Sequence, residues 1–79
     1  MKKARWQTVD SEYERYYILW SDWTCENSGP VSSTFAFIVP STIWCRYTVV
    51  LRQHKAKLHV NLRLPEARHL ALKAFKEQS

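Results

Sequence analysis

The sequence predicts an α+β domain, an antiparallel meander of four to five strands with one C-terminal helix packed on one face. Residues 57–64 (KLHVNLRL) alternate strictly between aliphatic and polar side chains, which is the period of a half-buried strand. Residues 43–52 alternate in the same way. After residue 64 the apolar period changes to that of an amphipathic helix, which supplies a cover for the aliphatic sheet face.

The composition predicts a single small domain over residues 1–79. The chain has 46% hydrophobic residues, four Trp, one Gly and three Pro, which is enough apolar material for one core. We expect short flexible ends at residues 1–4 and 77–79, and a monomer or a small homo-oligomer. The longest apolar runs are five residues and the basic N-terminus lacks an apolar signal segment, so we expect a cytoplasmic protein.

The first half predicts two strands followed by a loop. Residues 5–9 (RWQTV) form a short strand that turns at residues 10–13. Residues 13–23 are rich in aromatic and β-branched side chains, which favours a strand. Its inward face stays open between Tyr17, Leu19 and Trp23 on one side and Tyr16, Ile18 and Trp20 on the other. Residues 24–33 hold the Gly-Pro pair and many turn formers, which predicts a loop.

A hairpin is predicted between residues 33–39 (STFAFIV) and residues 43–52, with a three-residue turn at 40–42. Cys45 then lies on the apolar face, where a free thiol packs as a small hydrophobe. One disulfide between Cys25 and Cys45 also stays open. The turn length pairs Val39 with Ile43, Phe37 with Cys45 and Phe35 with Tyr47, all on the core face.

A second hairpin is predicted through a four-residue loop at 53–56, and burial of the aliphatic side chains determines its register. On the core face it pairs Leu51 with Leu58, Val49 with Val60, Tyr47 with Leu62 and Cys45 with Leu64. On the outer face it pairs Arg52 with Lys57, Val50 with His59, Thr48 with Asn61 and Arg46 with Arg63.

The C-terminal residues predict the helix. Pro65 fits the first helical turn, and Glu66 favours the positive end of the helix dipole. The apolar stripe consists of Ala67, Leu70, Ala71, Ala74 and Phe75, and the outer side carries Arg68, His69, Lys73 and Lys76.

Positive charge is concentrated in the second half of the chain. Residues 1–40 hold four Lys or Arg against five Asp or Glu, whereas residues 41–79 hold eight against two. No carboxylate occurs between residues 43 and 64. Opposed like charges on a sheet are destabilising, so a solvated face would be expected to mix signs. The predicted outer face therefore indicates a polyanionic or acidic partner.

The candidate binding residues are the members of this outer face. Cations there can neutralise phosphates, His and Asn can form hydrogen bonds, and Trp44 can stack on a base. A basic face that serves only for solvation is the competing interpretation. The set comprises Trp44, Arg46, Arg52, Lys57, His59, Asn61 and Arg63.

Metal binding and catalysis have little support in the sequence. His54, His59 and His69 fall on different elements and show no zinc-ligand spacing. There is no glycine-rich phosphate loop, no nucleophile motif and no paired acid and base. We therefore expect a protein that is not an enzyme and has no cofactor.

The sheet-then-helix order of residues 34–77 is similar to that of the small DNA-binding domains at the N-termini of tyrosine recombinases and in plant AP2-type factors. These place a three-stranded sheet against the major groove, backed by a helix. The similarity is one of topology and implies a sheet that binds nucleic acid. In size the chain also looks like small stand-alone phage proteins, including anti-CRISPR-type inhibitors.

Two functions follow as expectations. The first is a nucleic-acid-binding protein, for DNA or RNA, that uses the basic and aromatic sheet face. The second is a small phage-type inhibitor or adaptor that docks on an acidic protein or nucleoprotein surface. Salt dependence separates them, because phosphate neutralisation makes nucleic-acid affinity fall steeply with salt.

Overall fold

The computed structural model joins five strands in chain order into one antiparallel sheet, with a single helix packed on one face. This confirms the predicted α+β meander. The structure describes residues 2–12, 14–25, 27, 29–52 and 57–78, without the side chains of residues 25, 57, 58 and 78. The elements are β1 (Lys3–Asp10), β2 (Arg15–Cys25), β3 (Gly29–Pro40), β4 (Tyr47–Leu51), β5 (Lys57–Leu62) and α1 (Leu64–Gln78).

The core lies between α1 and the central strands. Buried residues alternate along β2 and β3, as expected for strands with one covered face, whereas β4 buries Thr48 as well as Val49 and Leu51. In β2 the inward residues are Tyr17 and Leu19, which settles the choice that the sequence left open. The buried apolar cluster comprises Tyr17, Leu19, Ala36, Ile38, Val49, Leu51, Ala67, Ala71 and Phe75.

Helix α1 packs against β4, β3 and β5 through its smallest side chains. Ala67 and Ala71 have no exposed surface, and their small size lets the helix backbone approach the sheet. Phe75 reaches the ring of Phe35 edge-on, with 5.3 Å between ring centroids. The predicted stripe is confirmed for these three helix positions and for the partly buried Ala74, whereas Leu70 is not among the residues packed on the core.

Arg68 does not lie on the outer side of the helix, contrary to the prediction. Its guanidinium carbon lies 4.9 Å from the ring centroid of Tyr17 and 5.6 Å from that of Trp6. Its Nε is buried without a hydrogen-bond partner among the described residues. The long side chain extends the cover of the helix to the rings of Trp6 in β1 and Tyr17 in β2.

The turn between β3 and β4 is longer than predicted. Pro40 pairs with Tyr47 and Ile38 with Val49, so six residues, 41–46, form the connection instead of three. The observed register differs from the predicted one by an odd number of residues. Phe37 and Val39 therefore lie on the face opposite the helix, and Ala36 and Ile38 lie inside. The predicted pairs of Val39, Phe37 and Phe35 with Ile43, Cys45 and Tyr47 are therefore wrong.

A bulge in β3 explains why Phe35 still reaches the core. Leu19 pairs with Ala36 and Trp20 pairs with Thr34, so Phe35 is the additional residue on its strand. It packs against the core next to Ala36. The bulge thus places two consecutive residues on the helix side, which strict alternation does not permit.

The predicted β4–β5 register is correct at only one end. Tyr47 pairs with Leu62 as expected, but Val49 pairs with His59 and Val50 with Lys57, through two irregularities. Asn61 has a φ of 58°, and Val60 is 52% exposed. Asn tolerates this left-handed conformation, and a bulge bends its strand. Only one residue separates the end of β5 from the start of α1, so the chain has to change direction there, and the bend contributes to this change.

Residues 24–33 are mostly strand, which corrects the predicted loop. β2 continues to Cys25, β3 begins at Gly29, and Thr24 pairs with Pro30. Gly29 has a φ of 73°, a conformation that glycine adopts readily. Proline is tolerated in the first residues of a strand, so the Gly-Pro pair marks a strand start. The predicted loop at 53–56 lies outside the described residues.

Replacing Arg68 by Ala is expected to lower the free energy of unfolding by about 1–3 kcal/mol, because two ring contacts and the packing of the stem are lost. Arg68→Lys should recover only part of this, since an ammonium cannot stack as a planar group. Urea denaturation measures the effect, with Lys73→Ala on the exposed side of α1 as the control. Equal effects of Arg68→Ala and Lys73→Ala would contradict the described packing.

The left-handed conformation of Asn61 makes a second prediction. Asn61→Ala should lower the free energy of unfolding by about 1 kcal/mol more than Asn61→Gly, because alanine is strained at this φ and glycine is not. Both variants lose the same side-chain amide, so they control for each other. Chemical denaturation of the pair measures the difference, and the opposite order of stability would argue against the bulge.

Candidate nucleic-acid interface

The β3–β4 connection forms an exposed loop at one end of the sheet. The Ser41 amide donates to the carbonyl of Arg46 at 2.9 Å, and the Arg46 amide donates to the carbonyl of Ile43 at 3.2 Å. Cys45 turns the chain with a φ of 59°. These bonds hold Trp44 at the turn, where its side chain is 88% exposed beside the half-exposed Ile43.

Ser41 connects this loop to β4 and β5. Its hydroxyl donates to Asn61 Oδ1 at 2.9 Å, and its Oγ lies 3.2 Å from Thr48 Oγ1. A serine hydroxyl has one proton, so Thr48 is the donor in the second bond. The buried Thr48 is thereby satisfied, and the side-chain NH₂ of the exposed Asn61 is left to donate elsewhere.

Two arginines flank the last pair of the β4–β5 ladder. Tyr47 pairs with Leu62, so Arg46 precedes the first residue of the pair and Arg63 follows the second. They lie at the same sheet end as the exposed loop but form no ladder pair. We call Trp44, Arg46, Asn61 and Arg63 the basic tip. A cavity of about 400 Å³, lined by residues 40–47, adjoins it.

The other predicted site residues lie elsewhere. Arg52 follows β4 at its opposite end, about 20 Å from Arg46 for a strand of this length. His59 is exposed opposite Val49, and the backbone of Lys57 lies opposite Val50. The single basic face of seven residues is therefore corrected to a tip of four, because the longer loop and the two irregularities in β4–β5 divide it.

The cations of the two halves differ in their partners. Arg5 Nε lies 2.8 Å from Asp22 Oδ2, and Arg15 Nε lies 2.5 Å from Asp10 Oδ1. Arg46, Arg52 and Arg63 form no ion pair with any described residue. The arginines of β1 and β2 are therefore ion-paired, whereas the three arginines next to β4 and β5 are not paired with any described residue.

The Arg5–Asp22 pair shifts the acidity of its carboxyl group. Hydrogen bonds from the Arg5 guanidinium and, at 2.6 Å, from the Ser32 hydroxyl lower the pKa of Asp22 from its ordinary value. The same hydrogen bond raises the pKa of Arg5. Arg5 also lies 5.4 Å from the ring centroid of Trp20, whose indole NH donates to Gln7. These contacts tie β1, β2 and β3 together on the face opposite the helix.

An apolar row on the sheet face opposite the helix was not predicted from the sequence. Ile18 pairs with Phe37, and Phe37 pairs with Val50, so three large side chains stand side by side across β2, β3 and β4. They are half-buried but do not pack on the helix-side core. The sequence predicted that Phe37 lies in the core. The row follows from the observed length of the β3–β4 connection, which was not predicted.

Three further findings concern metal ligands, the Cys45 thiol and membrane-spanning helices. Within the described ranges, no three His, Cys, Asp or Glu residues come together as a set that could hold a metal ion. Cys45 is an exposed free thiol, so the prediction that it packs on the apolar face is wrong. In the same described part, no helix is long and apolar enough to cross a membrane.

The lowered pKa of Asp22 predicts acid-sensitive stability. The charged form is favoured in the folded state, so its contribution is complete above the unfolded pKa and is lost as pH falls through the folded value. Asp22→Asn should therefore be less stable than the parent at about pH 6, and the gap should close near about pH 2. Thermal unfolding of both proteins across this range measures the gap. A constant gap, insensitive to pH and to added salt, would argue against the ion pair.

Comparison with known proteins gives no family to which the chain can be assigned: no family model, no curated protein and no solved structure matches it.

Proposed function

We propose that this chain is a non-enzymatic nucleic-acid-binding protein that contacts its ligand through the basic tip. The observation that carries the proposal is Trp44, which is 88% exposed on a hydrogen-bonded loop beside arginines that have no ion-pair partner among the described residues. Exposed aromatic rings flanked by cations are the elements with which proteins hold single strands.

Each residue of the tip has a chemical role in this proposal. The Trp44 ring stacks on an unpaired base, which is available in a single strand or a loop but not inside a duplex. Arg46 and Arg63 neutralise phosphates on either side of that base. The Asn61 side-chain NH₂ donates to a phosphate or base acceptor, while its oxygen stays on Ser41.

The other two cations extend the surface. Arg52 follows the opposite end of β4, where the backbone of Lys57 pairs with Val50, so a nucleic-acid strand that runs along β4 and β5 from the tip would pass this end. His59 lies between the two ends on β5. We also propose a cytoplasmic location, because the exposed free thiol of Cys45 suits a reducing compartment.

A second candidate function rests on a different surface. The open row of Ile18, Phe37 and Val50 suits an apolar protein partner, and this supports the inhibitor or adaptor hypothesis. Absence of nucleic-acid binding, together with recovery of one stoichiometric protein partner, would favour this candidate over the first.

The proposal is tested by titrating labelled single-stranded DNA, single-stranded RNA and duplex DNA at several salt concentrations. Single strands should bind more tightly than the duplex, and affinity should fall with salt. Arg46→Ala and Arg63→Ala should each reduce the slope of log K against log salt by roughly 0.7, the value for one phosphate contact on a single strand. Trp44→Ala should cost about 1–3 kcal/mol of binding free energy with little change in slope.

Two variants serve as controls. Trp44→Phe keeps an aromatic face and should retain most of the affinity. Arg15→Ala removes the same charge as Arg46→Ala, but from an arginine already paired with Asp10, so its effect should be small. No binding to any nucleic acid at low salt would refute the proposal. Equal losses for Arg15→Ala and Arg46→Ala would indicate non-specific charge attraction and refute the assignment of the tip.

A further inference from the structure

The two edges of the sheet differ in how well they are protected against pairing with another strand. β5 forms one edge, and its ladder with β4 is interrupted twice and contains the left-handed Asn61. Bulges of this kind twist an edge away from regular pairing. The β5 edge therefore carries the features by which proteins avoid association.

β1 forms the other edge and lacks these features. Its eight residues pair with β2 without any shift in register, from Lys3 opposite Asp22 to Asp10 opposite Arg15. It contains no proline and no left-handed residue, and most of its side chains are exposed. A regular strand of this length offers about 27 Å of unpaired backbone NH and CO groups. Such an edge is a template for one more strand.

We propose that β1 pairs antiparallel with β1 of a second copy of this chain, which makes a continuous ten-stranded sheet. This inference is independent of nucleic-acid binding. A two-fold axis perpendicular to the sheet relates the copies, because the two β1 strands run antiparallel and the helices of both copies lie on the same side of the joined sheet. Each residue of one β1 then lies opposite a residue of the other β1 whose side chain points to the same face of the sheet. The two-fold axis therefore passes beside a residue that faces its own copy, and each possible register is named by this central residue.

Charge selects among these registers. A register centred on Arg5 places two arginines opposite each other, and one centred on Ala4 places Lys3 opposite Arg5, which is unfavourable in both cases. Registers centred on Trp6 and on Gln7 have no like-charged pair, and of these two only the Trp6 register opposes unlike charges within residues 2–10. It places Lys2 opposite Asp10 at both ends and the two Trp6 rings together at the axis. Self-complementarity in this register favours a second copy over an unrelated strand.

The register defines which side chains meet. Ala4 lies opposite Thr8 of the other copy, twice per dimer, and both residues are exposed in the single chain. In a dimer of the double variant Ala4→Lys, Thr8→Lys, a lysine of one copy therefore lies opposite a lysine of the other at two places. The variant Ala4→Lys, Thr8→Glu opposes unlike charges at the same two places and serves as its matched control.

Sedimentation velocity of the full chain over a range of concentrations tests the inference. The parent should form a dimer of the 9.4 kDa chain in a concentration-dependent equilibrium. The dimer dissociation constant of the Lys/Lys variant should be at least roughly tenfold higher than that of the Lys/Glu variant, because two attractive charge pairs are replaced by two repulsive ones. Circular dichroism should show both folded, since the substituted residues lie on an exposed edge.

Three results would overturn the inference: a parent chain that stays monomeric at every concentration, a dimer that responds equally to both variants, or tighter association of Ala4→Lys alone. The last would place Ala4 opposite Asp10, as in a register centred on Gln7. Hydrogen exchange gives an independent check, because β1 amides should gain protection as concentration rises and β5 amides should not.

Discussion

One helix has to cover a sheet of five strands, and most of the structure depends on that constraint. α1 has fifteen residues, so it is about 22 Å long and about 10 Å wide, the width of roughly two strands. Ala67 and Ala71 let it sit close to β4, and the large side chains Phe75 and Arg68 reach outward from it. Close packing at the centre and long side chains at the sides together cover more sheet than a uniform helix surface would.

The β1–β2 side of the sheet has a further set of contacts. Around β1 and β2, opposite charges pair, arginine side chains lie against aromatic rings, and an indole donates to Gln7. Individually such surface contacts contribute little to stability, but they pair Arg5 and Arg15 with carboxylates. Around β4 and β5 the backbone ladder and the helix stabilise the strands. The arginines there form no ion pair with any described residue, which gives the charge asymmetry of the sequence a structural counterpart.

The sequence predicted the elements well and their registers poorly. Alternation and the helical period are local properties, so the strands, the helix and the buried Ala67, Ala71 and Phe75 could be predicted. Registers depend on turn length, and residues 40–46 contain no Asn-Gly or Asp-Gly pair to define it. The bulges at Phe35 and Asn61 break the alternation on which a register predicted from the sequence depends. Arg68 was placed wrongly because its charge, rather than its long apolar stem, was taken to decide its position.

The longer β3–β4 loop that invalidated the predicted register also created the candidate site. In the predicted hairpin Trp44 would lie within a strand, flanked by neighbours that cover part of its ring. Instead residues 41–46 leave the ladder, and Trp44 and Ile43 stand exposed in a chain of only 79 residues. Burying a large apolar side chain stabilises a fold by about 1.5–3 kcal/mol, a contribution that a small domain can rarely forgo. The loop is nevertheless held by three backbone and side-chain bonds through Ser41, so the exposure is a fixed feature of the fold. An exposed tryptophan, beside arginines that have no ion-pair partner among the described residues, is the feature on which the proposed nucleic-acid contact rests.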